Sequence, residues 1–398
     1  MLSSTLQEFY ESQLNQLTST NQLRHCTAYE PIDSTHVRLQ GKTYLMMASN
    51  NYLGLTHHPE VLAHAKKALT NYGTGSGGAR LTSGTYPALS QLEAQLANFK
   101  GTEQALIFNT GYMANVGTIS GLMSKGDHIL SDALNHASII DGCRLSGAHI
   151  HIYNHNDCNH LESLLKSLPP TGKRLIVTDG VFSMDGDIAP LPDLVTLAKR
   201  YETLLMVDDA HATGVIGSGR GTAHHFNCSQ EVDIQLGTLS KALGSEGGFV
   251  CANELIINTL INRSRSFIFS TALVPAAIGA AQQSLTLLSQ DASIYQRLQH
   301  NIEYMTQALL QKRITVAHKT TATSLAAQYQ PTPIFPIIVG SAETALKLSQ
   351  ELFERGIILT AIRPPTVPQG ESRLRLTVTA AHKESDLQYV ADTLSELI

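Results

Sequence analysis

Leu204-Leu-Met-Val-Asp208-Asp-Ala-His211 is a short apolar run that ends in an acid, with a histidine three residues beyond it. A run of that length between polar residues reads as a strand buried on both faces. Working outward, the same signature recurs at Leu175–Thr178, His128–Ser131 and Ala105–Phe108 upstream, and at Gly248–Cys251 downstream. Helix-length segments separate these runs. One opens at Pro87, steps through Leu89, Leu92, Leu96 and Phe99, and stops at Gly101. That spacing gives one apolar face, proline suits a first turn, and glycine suits a helix end. The alternation predicts an α/β fold, a mainly parallel sheet flanked by helices on both faces. In such sheets ligands sit beyond the carboxyl ends of the strands, where Asp208 and His211 fall.

The pattern changes near Ser284. Ser341 can cap a helix carrying Ala345, Leu348, Leu352 and Phe353 on one side, with Gly356 as its stop. Arg373-Leu-Arg-Leu-Thr-Val-Thr379 alternates as a strand with one buried face does, and Leu387, Val390, Ala391, Leu394 and Leu397 form a closing amphipathic helix. The expected organisation is an N-terminal segment (1–45), a large domain (46–283) and a smaller α+β C-terminal domain (284–398).

Composition narrows the function. The 398 residues include 28 Lys plus Arg and 33 Asp plus Glu, a net charge of −5 without a run of like sign. That argues against a nucleic-acid groove or an anionic membrane patch. Charged residues make up only 15%, against about 25% in ordinary soluble chains. No apolar stretch approaches the roughly 18 residues of a membrane helix, and acidic Glu8 and Glu11 occupy the place where a secretory signal would be basic. The chain reads as cytoplasmic, with a small-molecule partner. Its five cysteines contain no CxxC pair, so neither a disulfide framework nor a thiolate metal site is indicated.

Three further motifs are weaker than they look. Gly73-Thr-Gly75-Ser-Gly77-Gly78 satisfies GxGxxG but follows a helical pattern, Val61–Tyr72, rather than a strand, so it reads as a tight loop. Gly121-Leu-Met-Ser-Lys-Gly126 lacks the Lys-Ser/Thr that a nucleoside-triphosphate loop places after its second glycine. His149, His151, His155 and His160 cluster with Asp157 and Cys158, yet their spacing fits no closed tetrahedral pattern. They read as a polar strand and loop, with no metal.

The chemistry lies in the opening stretch and in Gly237-Thr238-Leu-Ser240-Lys241, which follows it. Separately, Asp208 and Lys241 would be an ion pair or solvated surface. Together they match what pyridoxal 5'-phosphate (PLP) requires: a lysine for the Schiff base and a carboxylate that keeps the pyridine nitrogen protonated. Asn109-Thr110-Gly111-Tyr112-Met113 joins a strand to a helix, so the amides of Gly111 and Tyr112 can point at a phosphate. His136 follows another strand end and could stack on a ring.

Over nearly its whole length, from about Leu23, the sequence resembles the α-oxoamine synthases. The motifs are Ser49-Asn50-Asn51-Tyr52-Leu53-Gly54-Leu55, Gly75-Ser-Gly-Gly78, Asp179-Gly-Val-Phe-Ser183-Met-Asp-Gly-Asp187, Asp208-Asp-Ala-His211 and Thr238-Leu-Ser-Lys241. The resemblance implies an aspartate-aminotransferase-like fold and decarboxylative condensation of an amino acid with an acyl thioester. Thr360-Ala-Ile-Arg363-Pro-Pro-Thr366-Val-Pro368 and the following Arg373 to His382 are most similar to members that join L-alanine to a pimeloyl thioester in biotin synthesis. Sister enzymes using glycine with acetyl-CoA, autoinducer-type synthases, and a noncatalytic PLP protein are the alternatives.

By the same resemblance, Lys241 would carry the Schiff base, Asp208 the ring nitrogen and His211 the ring hydroxyl oxygen. His136 would stack on the ring with Ser183 beside it, and Gly111, Tyr112 and Thr238 would hold the phosphate. A homodimer with shared sites is implied, in which Ser270 and Thr271 reach the partner's phosphate. Arg363 would bind the substrate carboxylate with Asn50 nearby, and Arg24 and Thr366 would lie near the thioester, whose carrier is coenzyme A or, transiently, acyl carrier protein. Two departures stand out: the family usually has Glu where this chain has Asp179, and often His where it has Leu89.

Overall fold

A computed structural model describes residues 2–317 and 331–398. At its centre is a seven-stranded sheet in the order Gln104–Phe108, Gly248–Ala252, Ile234–Thr238, Leu204–Asp208, Arg174–Asp179, His128–Asp132 and His149–Tyr153. Gly248–Ala252 runs antiparallel to both neighbours, and the remaining pairs are parallel. Apolar clusters on either side of the sheet bury its inner strands on both faces, which is why those strands read as unbroken apolar runs.

The five expected strands form within a residue or so of their expected ends. Ile234–Thr238 escaped the reading because it carries Gln235 and Gly237. Gln235 is nevertheless buried, and a Cβ at Gly237 would come within 2.5 Å of the Phe249 ring. The glycine is there because a ring from the next strand lies across it. Helix Pro87–Lys100 turns Leu89, Leu92, Leu96 and Phe99 inward and ends at Gly101 with φ 74°. Leu89 is fully enclosed in this core. The Gly73–Gly78 loop follows helix Pro59–Tyr72, and a Cβ at Gly84 would meet the Gly78 carbonyl oxygen at 2.1 Å. Within the loop only Gly78 is crowded, since its Cβ would meet Ser83 Oγ at 2.2 Å, whereas Gly73 and Gly77 serve the turn through positive φ, 82° and 71°.

In the C-terminal part, Ile334–Gly340, Ser372–Thr377 and Thr360–Ile362 make an antiparallel sheet backed by helices Ala342–Glu354 and Glu384–Leu397. Ser341 Oγ accepts the Thr344 N–H at 3.0 Å, and Gly356 has φ 80°, so cap and stop are as read. One expectation is corrected. Strand Ser372–Thr377 is buried on both faces rather than one. Its arginines are not solvated, because Arg373 donates to Asp185 at 2.8 Å and to Glu371 at 3.1 Å, while Arg375 Nε donates to the Ser183 carbonyl at 2.5 Å. Alternation there marks charge pairing against the Ser183–Asp185 turn, not an open face.

The N-terminal strands do not stand alone. Lys42–Met46 pairs antiparallel with His36–Leu39 on one side and parallel with Ile357–Ile358 on the other. The 284 boundary falls within helix Pro275–Gln290.

Behind the carboxyl end of Leu204–Asp208, Lys100 Nζ meets Asp209 Oδ2 at 2.6 Å and the Arg220 carbonyl at 2.7 Å, with both side chains wholly enclosed. Removing one partner of a buried pair strands the other's charge. Lys100→Met should therefore lower stability by about 3–5 kcal/mol, read from the urea midpoint, and adding Asp209→Asn should recover part of it.

Candidate active site

Parallel pairing brings Asp179 level with Asp208 at the ends of adjacent strands. Both are buried. Asp208 accepts from Asn115 Nδ2 at 2.6 Å and from the Ala210 N–H at 2.9 Å. Asp179 accepts the His136 N–H at 2.8 Å, while its own N–H goes to Asn135 Oδ1. Burial, and then the neighbouring Asp208 charge, push the Asp179 carboxyl well above the usual carboxylate range.

Lys241 follows the next strand end. Its Nζ makes no hydrogen bond among the described residues, and burial lowers its amine below the ordinary lysine value against the opposing pull of Asp208 and Asp179. His211 is buried, with the Tyr52 hydroxyl 2.7 Å from its Nδ1. Burial first, then Lys241 and Arg375, hold it well below the usual histidine range, so it is a neutral ring. His136 caps helix Ala137–Ser146, its Nδ1 2.7 Å from Ser138 Oγ. By surface area His136 is an exposed residue in this single chain. Desolvation and Lys241 lower its pKa while Asp208 opposes them.

Helix Gly111–Leu122 begins beside these residues. Thr110 Oγ1 accepts the Met113 N–H at 3.1 Å, so the amides of Gly111 and Tyr112 stay available at the positive end of the helix. A Cβ at Gly111 would lie 3.4 Å from that of Thr238, whose Oγ1 contacts Ser240 Oγ at 2.7 Å. Tyr112 is exposed, and its hydroxyl donates to Asp141. Thr271 bridges to Ala79 by its backbone and accepts from Asn109 Nδ2 through its carbonyl, while its side chain is exposed and Ser270 is half-buried.

The two arginines separate. Arg363 Nε donates to the Asn21 carbonyl at 2.6 Å and Nη2 to that of Leu23 at 2.8 Å, tying down the N-terminal arm. Burial, then nearby Arg24, lower its pKa. Arg24 and Thr366 are exposed. Arg375, which the sequence reading did not single out, is buried with Nη1 3.1 Å from Asn50 Oδ1 and Nη2 3.3 Å from the Tyr52 hydroxyl. Tyr52 and Asn115 were likewise passed over. Tyr52 lay in a quoted motif, and Arg375 sat at an alternate position of its strand, a register that could have placed it beside the Ser183 turn. Among the described residues no group of three or more His, Cys, Asp or Glu is set to hold a metal.

These residues fit PLP. Lys241 offers an unengaged amine, Asn115 Oδ1 is a buried acceptor with no partner, and the start of Gly111–Leu122 is shaped for an anion. A sequence profile described as aminotransferase class I and II matches residues 42–394. A serine palmitoyltransferase variant from S. paucimobilis with a bound PLP–myriocin aldimine has TM-score 0.90 at 30% identity, covering 99% of this chain and 98% of its own. The chain belongs to the class I and II aminotransferase family, among its PLP-dependent α-oxoamine synthases. Relatives carry a narrower name. The 8-amino-7-oxononanoate synthase of Lysinibacillus sphaericus is 45% identical over 92% of this chain and 91% of its own. That of Geobacter sulfurreducens is 45% identical over 97% and 96%.

Because Asp208 favours the charged amine, Asp208→Asn should lower the Lys241 pKa further. In the apoenzyme, the pH at which Lys241 becomes half-reactive toward an amine reagent is expected below the free-lysine value, and lower still in the variant.

Proposed function

We propose that this chain condenses L-alanine with a pimeloyl thioester, giving 8-amino-7-oxononanoate, carbon dioxide and the free thiol carrier, a step of biotin synthesis. The observation that carries the reaction class is the unengaged Lys241 amine beside two strand-end carboxylates. The 8-amino-7-oxononanoate synthases it resembles support the choice of substrates. PLP, when bound, supplies an electron sink that stabilises negative charge at the α-carbon of the amino acid.

The chain's own residues do the rest. Gly111, Tyr112 and Thr238 would hold the phosphate, and Asp208 would keep a proton on the ring nitrogen. His211, with Nδ1 against Tyr52, has Nε2 left for the ring hydroxyl oxygen. His136 would cover one face of the ring, with Ser183 beside it. Lys241, whose pKa burial lowers, would take the α-proton of the substrate and return one after carbon dioxide leaves. The substrate carboxylate needs a cation early and must then depart as a neutral molecule. Arg375 joins Arg363 as a holder for it, near Asn50. Both guanidiniums already have other acceptors, which moderates a grip that would oppose decarboxylation.

The site is completed by a second copy. Phe269, beside Ser270 and Thr271, is 71% exposed, an apolar ring that a partner protomer would cover while Ser270 and Thr271 reach its phosphate. Exposed Arg24 and Thr366 flank the approach of coenzyme A or acyl carrier protein. No described helix is long and apolar enough to cross a membrane, and the reaction is assigned to the cytoplasm.

Borohydride reduction of the holoenzyme should fix the cofactor on Lys241, and Lys241→Ala should lose both that label and turnover. Label on another lysine overturns the assignment. Thiol release from pimeloyl thioester should be fastest with L-alanine; faster release with glycine or serine would point to a sister enzyme. Specific activity should fall on dilution below the dimer dissociation constant, and a fully active monomer would remove the shared site.

A further inference from the structure

Of the histidines between His149 and His160, one lies inside the fold with both nitrogens engaged. His155 Nδ1 is 2.9 Å from Asp132 Oδ1, and Nε2 is 2.7 Å from Asp187 Oδ2, with both carboxylates buried. A ring that faces a carboxylate from each nitrogen donates twice and is therefore an imidazolium. Burial alone would lower its pKa, but the hydrogen bonds and charges of Asp132 and Asp187 raise it to about 10. Tyr153, Cys158 and Asp179 all feel the Asp132 charge, and burial raises the pKa of each. The His155 ring also meets Phe182 edge to face, with centroids 4.4 Å apart. Asn156 doubles the connection, its N–H donating to Asp132 Oδ2 and its Nδ2 to Asp187 Oδ2, each at 2.9 Å.

The two acids belong to two different turns. Asp132 ends its strand and accepts the Leu134 N–H at 2.8 Å, shaping the turn that leads to His136. Asp187 closes the turn through Ser183, with the Phe182 N–H donating to its carbonyl at 3.0 Å. On its far side the same turn is held by Arg373, at Met184 and Asp185, and by Arg375, at Ser183.

We propose that His155 is a positioning residue for the reaction, a largely enclosed cationic bridge that fixes the turn presenting His136 against the turn presenting Ser183. The inference rests on the reading of those two residues as cofactor contacts. A neutral side chain at 155 leaves two buried carboxylates without their cation, so the turns part or reprotonate. A shift of about 1 Å in groups that orient a reacting centre costs up to about a hundredfold in rate.

The test compares holoenzyme with His155→Gln and, separately, Asp187→Asn, which keeps the His155–Asp132 pair should the first variant not fold. Measurements are made well below each protein's unfolding transition. The expected result is an altered visible circular dichroism band of bound cofactor and a kcat lower by roughly tenfold or more, with KM for alanine changed less. A wild-type band and wild-type kcat in folded variants overturn the inference, as does a loss of rate that only follows the folded fraction. A wild-type protein with no cofactor band overturns the cofactor reading, and this inference with it. A normal wild-type band with unchanged variants overturns this inference alone.

Discussion

Everything at this site depends on keeping charge at the ends of strands that are buried on both faces. A parallel sheet covered by helices has no water at its core, yet the chemistry needs a carboxylate, an amine and an imidazole within reach of one another. The fold meets this by placing them at the carboxyl edge, where backbone and side-chain amides compensate them. Asp208 receives the Asn115 amide and the Ala210 N–H, and Asp179 receives the His136 N–H. Lys241 has no such compensation, and its lowered pKa follows. The same desolvation that costs stability makes its amine a base.

The cations are arranged in two ranks. Lys241 and Arg375 lie inside, close enough to depress His211. Lys100, His155 and Arg373 lie behind, each paired with an acid that belongs to a site-bearing turn: Asp209, Asp132 with Asp187, and Asp185. Most charged side chains lie at the surface, but several of the few that are buried stand where turns must be held.

The sheet and its flanking helices were legible because unbroken apolar runs and three-and-four spacing report burial directly. That Lys241, Asp208 and His211 lie at neighbouring strand ends was legible because their order along the chain follows those strands. What escaped depended on pairing across long separations. Ile234–Thr238 hides behind Gln235 and Gly237, whose burial makes sense only once Phe249 lies over the glycine. Arg375 looked like one member of a solvated face, and only its bond to the Ser183 carbonyl places it inside. His155 was grouped with histidines that share its neighbourhood in sequence but not its partners. Arg363, singled out by resemblance, is held by the carbonyls of Asn21 and Leu23, a contact between opposite ends of the chain that no local pattern announces.

That joining of the ends sets an order of events during synthesis. Lys42–Met46 leaves the ribosome early, but one of its two edges is closed only by Ile357–Ile358, near the end of translation. Until then the edge offers unpaired amides and carbonyls to any neighbouring strand, a template for mispairing. The large sheet has every strand it needs once residue 252 has emerged. The nascent chain then has the strands of its large sheet but neither the later residues that complete the apolar cluster on one of its faces nor the partner of its rim strand, and its need for protection lasts until those segments arrive.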